Sequence, residues 1–159
     1  MQTPTKQSTI QSPTLSLLIV KTGQTLASPL KNFPPLFAST VSAGFPSPAD
    51  DYIERHLDLN ELLVKHPAAT FFVRVEGQSM INAGIKSGDI LIVDRSLNPA
   101  SGHVVIAVLN GEFLVKKLHK RGDQIWLLPE NPKYAPMQIT AEANFEIWGV
   151  VTSVIHNFQ

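Results

Sequence analysis

The chain has 159 residues, 43% of them apolar, no cysteine and a formal net charge of zero. That length holds one domain with a real core. The absence of thiols excludes disulfides, thiolate metal sites and a cysteine nucleophile, and a neutral balance supplies no overall attraction to nucleic acid, whose binding needs a basic face.

Residues 1–43 hold 13 Ser/Thr and five prolines (Pro4, Pro13, Pro29, Pro34, Pro35), and Lys6, Lys21 and Lys31 are their only charges. A polar, proline-interrupted stretch cannot sustain a helix or bury much surface, so it reads as an extended arm. The arm carries +3 and the remainder −3. Two apolar patches in it, Leu15–Val20 and Phe33–Phe37, are candidates to pair as strands or to dock on another surface. Leu15–Val20 is far shorter than the roughly 20 residues a membrane span needs. No basic n-region precedes a proper apolar run, so no signal peptide is read and the expected location is the cytoplasm, with no membrane association. Val41–Pro48 is small, then proline-rich. It reads as an exposed extended linker, the kind of segment where proteolysis concentrates.

Asp58 to Val64 predicts a short helix, with Asp58 as cap, Glu61 at the capping-box spacing and Pro67 as its stop. Beyond it the pattern is β almost throughout. Strands are predicted at Thr70–Val75, Ile90–Val93, His103–Leu109, Glu112–Leu118, Ile125–Leu128 and Phe145–Ile155, with a turn at Lys86–Asp89. Asn110-Gly111 lies between two apolar runs, the strongest short hairpin signal, because both central residues of a type I′ turn need positive φ. Many short strands and almost no helix predict a compact, mostly β fold.

Two residues in this β region carry possible chemistry. Ser79 follows a strand in Glu76-Gly77-Gln78-Ser79-Met80. A glycine two residues earlier permits a sharp turn that exposes the hydroxyl and aims backbone N–H groups at one point. The pentapeptide alone equally describes a turn serine bonded to its own backbone. Lys116 lies in the second arm of the Asn-Gly hairpin, and period-2 alternation gives it Leu114 and Leu118 as same-face neighbours, whereas Lys117 shares a face with Val115 and His119. A lysine on an apolar face loses hydration, its pKa falls, and the neutral amine can act as a base towards a serine. The bland alternative is a snorkelling side chain with its ammonium in water.

Other features are less specific. The five histidines (His56, His66, His103, His119, His156) are scattered, with no i, i+3 or i+4 pair, so no metal site is expected. Gly77 and Gly84 fit neither nucleotide fingerprint. Trp126 and Trp148 sit in β patterns and read as core or interface. The basic run Lys116–Arg121 reads as a strand entering a solvated turn.

Several of these segments occur in the order and spacing of one family. Ala43-Gly44, Gly77-Gln78-Ser79-Met80, Gly88-Asp89-Ile90-Leu91-Ile92-Val93-Asp94, Gly111–Leu118, Leu127-Leu128-Pro129-Glu130-Asn131 and Trp148-Gly149-Val150-Val151 together resemble the LexA/UmuD family of self-cleaving serine peptidases. Phe45-Pro46-Ser47-Pro48-Ala49, Asp58–Leu63 and His66-Pro67 resemble its UmuD/MucA-type branch, whereas residues 1–20 match nothing in it. The resemblance implies a compact LexA-like peptidase domain of short strands with one short helix, preceded by an extended arm. Residues 1–43 would be the arm removed by self-cleavage, and 44–159 the peptidase and dimerisation domain. It places the nucleophile on Ser79, the base on Lys116 and the scissile bond between Ala43 and Gly44, with the backbone N–H groups of Gln78 and Ser79 as candidate oxyanion donors. No cofactor or metal is implied. The implied partners are a second copy of the chain, the RecA filament on single-stranded DNA, which stimulates cleavage, and a UmuC-like Y-family DNA polymerase. These belong to translesion synthesis in the SOS response, without sequence-specific DNA binding by the chain itself. Three other readings compete. A self-cleaving repressor would need a helix-turn-helix ahead of the cut site, a signal peptidase would need a membrane anchor, and a non-catalytic polymerase subunit would need neither Ser79 nor Lys116.

Overall fold

The computed structural model describes residues 34–37 and 53–158. The Leu15–Val20 patch, the Val41–Pro48 linker and the Ala43-Gly44 pair lie outside the described residues. Nine strands and one α-helix are present among them. A small sheet pairs β1 (Pro35–Phe37) with β2 (Ile53–His56), antiparallel. The helix α1 (Leu59–Leu63) follows. The main sheet has seven strands: β3 (Thr70–Arg74), β4 (Ile90–Asp94), β5 (Val104–Leu109), β6 (Glu112–Arg121), β7 (Gln124–Leu128), β8 (Met137–Ile139) and β9 (Phe145–Ile155). Their order is β3-β4-β9-β5-β6-β7-β8, antiparallel at every step.

Turn chemistry explains the hairpins. Asn110 and Gly111 have φ of 51° and 86°, and Leu109 faces Glu112 across them. Both central residues are left-handed, as a type I′ turn requires. Gly122 (φ 58°) opens a second two-residue turn that lets Arg121 pair with Gln124. That turn extends β6 three residues beyond the predicted end at Leu118. The long strand β9 serves two partners, β5 with its first half and β4 with its second, and a bulge interrupts each ladder. At the crossover Gly149 is mandatory, since a Cβ there would stand 2.7 Å from Val93 Cγ1 and 3.0 Å from the Asp94 carbonyl oxygen.

Both faces of the central strands are buried, which is why β4 and β5 read as continuous apolar runs rather than alternating ones. One face joins Val73, Val75, Met80, Ile85, Leu91, Val93, Ile106 and Val115. The other joins Val105, Ala107, Leu118, Leu127 and Val150. Trp148 packs edge-on against Phe71 and Phe113, as a core aromatic would, with Arg95 over its ring.

The helix is capped by Asp58, whose carboxylate accepts the Asn60 N–H at 2.8 Å. It is over by Val64, before Pro67. Strand β1 falls within the Phe33–Phe37 patch, a candidate to pair as a strand, whereas β2 and β8 were not predicted. Each has three or four residues, too few to display a period, and each depends on a partner strand elsewhere in the chain.

Candidate active site

The turn that carries Ser79 is tied down on both sides. Where β3 ends, Val75 donates its N–H to the Asp89 carbonyl (2.8 Å) and accepts from Gly88 N–H (2.8 Å). Gly77 then takes φ +99°, a conformation that L side chains rarely adopt, and donates to Ser87 Oγ at 3.3 Å. On the far side Met80 is fully buried and opens a single 3₁₀ turn, Ile81–Ala83. Gln78 and Ser79 therefore bridge a left-handed glycine and a core anchor. Their carbonyls are both occupied. Asn131 Nδ2 donates to the Gln78 oxygen and Glu130 N–H donates to the Ser79 oxygen, each at 2.8 Å. The N–H groups of Gln78 and Ser79 donate to no acceptor among the described residues.

Lys116 comes from the middle of β6. It faces Val105 of β5, between Leu114 and Leu118, all on the second core face. On its other flank the pairing with β7 stops at Lys117–Leu128. Among the described residues, 112–116 of β6 thus have a strand partner on one side only, and the Ser79 turn approaches the open side. Lys116 Nζ lies 2.7 Å from Ser79 Oγ and donates to the Val115 carbonyl at 3.0 Å. The residue is 9% exposed, and no carboxylate pairs with it among the described residues. Burial disfavours its charged form and pulls its pKa below the ordinary 10.5. Lys117 points the other way, half-exposed, and pairs with Glu130 at 2.8 Å. An open cleft of about 160 Å³ runs past the pair, and Gln78, Phe113, Leu114 and Tyr134 help to line it.

Two other buried charges sit at the ends of β4. Asp94 accepts from Ser96 through both its N–H and its hydroxyl (2.8 and 2.6 Å) and lies 2.6 Å from His66 Nδ1. Asp89 accepts the Lys86 N–H at 2.7 Å and lies 2.6 Å from His156 Nδ1. Burial raises the pKa of each carboxyl, but the hydrogen bonds and the neighbouring histidines outweigh it and hold both below the usual 3.8. These histidines, scattered in the sequence, are therefore structural partners of buried acids. Among the described residues no group of three His, Asp or Glu is placed to hold a metal ion. Nor is any helix there long and apolar enough to cross a membrane.

The structure brings together Ser79 and Lys116, 37 positions apart, and leaves Gln78 beside them. Sequence reasoning assigned no role to Glu130 and Asn131. The signal available was a proline-flanked polar pair whose segment formed part of the family resemblance.

This antiparallel β domain, in which a desolvated lysine amine stands against a turn serine, is similar in sequence to the LexA/UmuD class of self-cleaving serine peptidases. The chain belongs to the peptidase S24-like family, whose pattern it matches over residues 35–152. It is 47% identical over 128 residues to Protein SamA of Salmonella typhimurium, covering 80% of this chain and 89% of that protein. To Protein ImpA of Escherichia coli it is 48% identical over 128 residues, covering 77% and 83%. To Protein MucA of Escherichia coli it is 44% identical over 119 residues, covering 74% and 81%.

Proposed function

We propose that the chain cleaves its own Ala43–Gly44 bond, with Ser79 as nucleophile and Lys116 as general base. The observation that carries this reading is the 2.7 Å contact between Ser79 Oγ and an amine that is buried and, among the described residues, has no carboxylate partner. A neutral amine has one lone pair, and it accepts the serine proton as Oγ attacks the Ala43 carbonyl. The Gln78 and Ser79 N–H groups, free of other acceptors among the described residues, receive the oxyanion. Removing one such donor typically slows a reaction about 10²–10³-fold. The tetrahedral intermediate collapses, the lysine returns its proton to the departing Gly44 amine, and water, deprotonated by the same lysine, releases Ala43 from the serine ester. The one-sided edge of β6 offers backbone hydrogen bonds to an incoming extended segment, the usual way a sheet edge receives a peptide. Small side chains at the cut site allow that close approach.

In this reading residues 1–43 are the arm removed and 44–159 the peptidase and dimerisation domain. The UmuD/MucA-type resemblance extends it. The RecA filament on single-stranded DNA favours the state with the arm in the cleft, a population shift rather than new chemistry. The processed cytoplasmic homodimer then serves a UmuC-like Y-family polymerase in translesion synthesis during the SOS response.

Incubating purified full-length chain at neutral and alkaline pH, with and without RecA filaments, followed by mass spectrometry, tests this. Fragments ending at Ala43 and starting at Gly44 are expected, faster at alkaline pH, and absent from Ser79→Ala. An intact chain under every condition, or a cut that survives Ser79→Ala, would refute the proposal.

A further inference from the structure

We propose that Asn131 is a positioning residue for the nucleophile, acting through the backbone of the turn that carries it; this rests on the reading of Ser79 as nucleophile given above. Only four polar or charged residues among those described are buried: Asp89, Asp94, Lys116 and Asn131. The two aspartates serve the ends of β4 and the lysine faces Ser79. Asn131, 4% exposed, divides its carboxamide between its own bend and the turn of the nucleophile. Its Oδ1 accepts Lys133 N–H at 3.0 Å, which shapes the bend, and its Nδ2 donates to the Gln78 carbonyl at 2.8 Å. The preceding residue, Glu130, donates its N–H to the Ser79 carbonyl at 2.8 Å. Two consecutive carbonyls of the nucleophile turn are therefore held by two consecutive residues of another segment.

This fixes more than position. In a planar trans peptide the C=O and the N–H of the next residue point in opposite directions. Holding the Gln78 oxygen on the Asn131 side turns the Ser79 N–H away from it, and holding the Ser79 oxygen does the same for the Met80 N–H. The side chain of Asn131 thus sets the direction of an N–H beside the hydroxyl.

The bend is itself tied to the strand of the lysine. Pro129 and Pro132 restrict its φ angles. Lys117 Nζ bonds Glu130 Oε1 at 2.8 Å from the face of β6 opposite Lys116. One strand therefore presents the amine to Ser79 on one face and grips the brace of Ser79 on the other. The separation between hydroxyl and amine is then set by two successive residues of β6.

The test uses the full-length chain as wild type, Asn131→Leu, which keeps bulk but removes the donor, and Asn131→Ala. Three quantities are measured: the first-order cleavage rate across pH, labelling of Ser79 by a fluorophosphonate, and the thermal melt. The plateau rate should fall about 10²-fold, the size of losing one oriented donor. Fluorophosphonate labelling should fall in parallel, and the midpoint of the pH–rate curve should move up towards the ordinary lysine value as water reaches the Lys116 amine. A fall that merely tracks the unfolded fraction, with the midpoint unmoved, overturns the proposal, as does an unchanged rate. If neither Asn131 variant folds, Glu130→Ala decides by loosening the same bend from its solvent side. A smaller fall with the same upward shift of midpoint supports the brace, and wild-type behaviour overturns it. If the wild type itself is not cut, and its labelling equals that of Ser79→Ala, the underlying assignment of Ser79 has failed rather than the brace.

Discussion

The two ends of β4 and the middle of β6 bury charge in opposite ways. Asp89 and Asp94 are surrounded by donors, each with a histidine at 2.6 Å and at least one backbone N–H, so they remain ionised despite burial. Lys116 is buried among Leu114, Leu118 and Val105 with a hydroxyl and one carbonyl as its polar contacts, so burial is unopposed and its charge is disfavoured. Partnered burial fixes structure. Unpartnered burial prepares a group to take up a proton, which is why strongly perturbed groups beside a cleft mark functional sites.

The contrast breaks most sharply at Lys116. Lys116→Met should abolish self-cleavage, since a general base contributes about 10²–10⁴-fold and among the described residues no other base touches Ser79. The same substitution should leave the fold as stable or more so, because it removes a polar group from an apolar face. Cleavage assays and thermal melts on one preparation check both halves. Next in size is the pH dependence of the wild type. The rate should climb about tenfold per pH unit while the lysine is mostly protonated, then level off at a pH below 10.5, as the lowered pKa of the buried amine requires. A flat profile from neutral to alkaline pH counts against lysine as the base.

The aspartates should behave conversely. Asp94→Ala strands a Ser96 hydroxyl and N–H together with His66, and a loss of about 1–3 kcal/mol is expected in urea titration. Because both carboxyls titrate lower in the folded state, their stabilisation is fully present above about pH 3.8 and disappears as pH falls through their lower folded values. Comparing wild type with Asp89→Asn and Asp94→Asn between pH 6 and 2 isolates that slope, which should flatten in the variants. Gly149→Ala probes the frame that carries both kinds of site. Its Cβ meets Val93 and the Asp94 backbone, and about 1–3 kcal/mol of overpacking strain should appear in the melt. The smallest effect should come from Asn110→Ala at the hairpin tip, about 1 kcal/mol, because alanine tolerates φ of 51° less well than asparagine.

Much of this was legible before any coordinates. Strict alternation put Lys116 between two leucines and Lys117 on the opposite face, and the structure has that arrangement. Asn110-Gly111 announced its hairpin, Asp58 its helix, and Gly77 a sharp turn before Ser79, which the structure makes with a left-handed glycine. The Asp–His pairs were not legible, since His66 and Asp94 are 28 positions apart and His156 and Asp89 are 67 apart. Nor was Asn131, 53 positions from the carbonyl it holds.

Periods, caps and tight turns are decided by neighbours within a few residues, through backbone sterics and side-chain direction, so the chain alone determined most of its strands and the faces of β6. Which strand lies beside which depends on closing long loops around a shared core. The order β3-β4-β9-β5-β6-β7-β8 was therefore a decision of the tertiary structure. That order ends the β7 pairing one residue short of Lys116, leaves a flank there that no described strand covers, and lets a distant bend bring the serine turn within 2.7 Å of the amine.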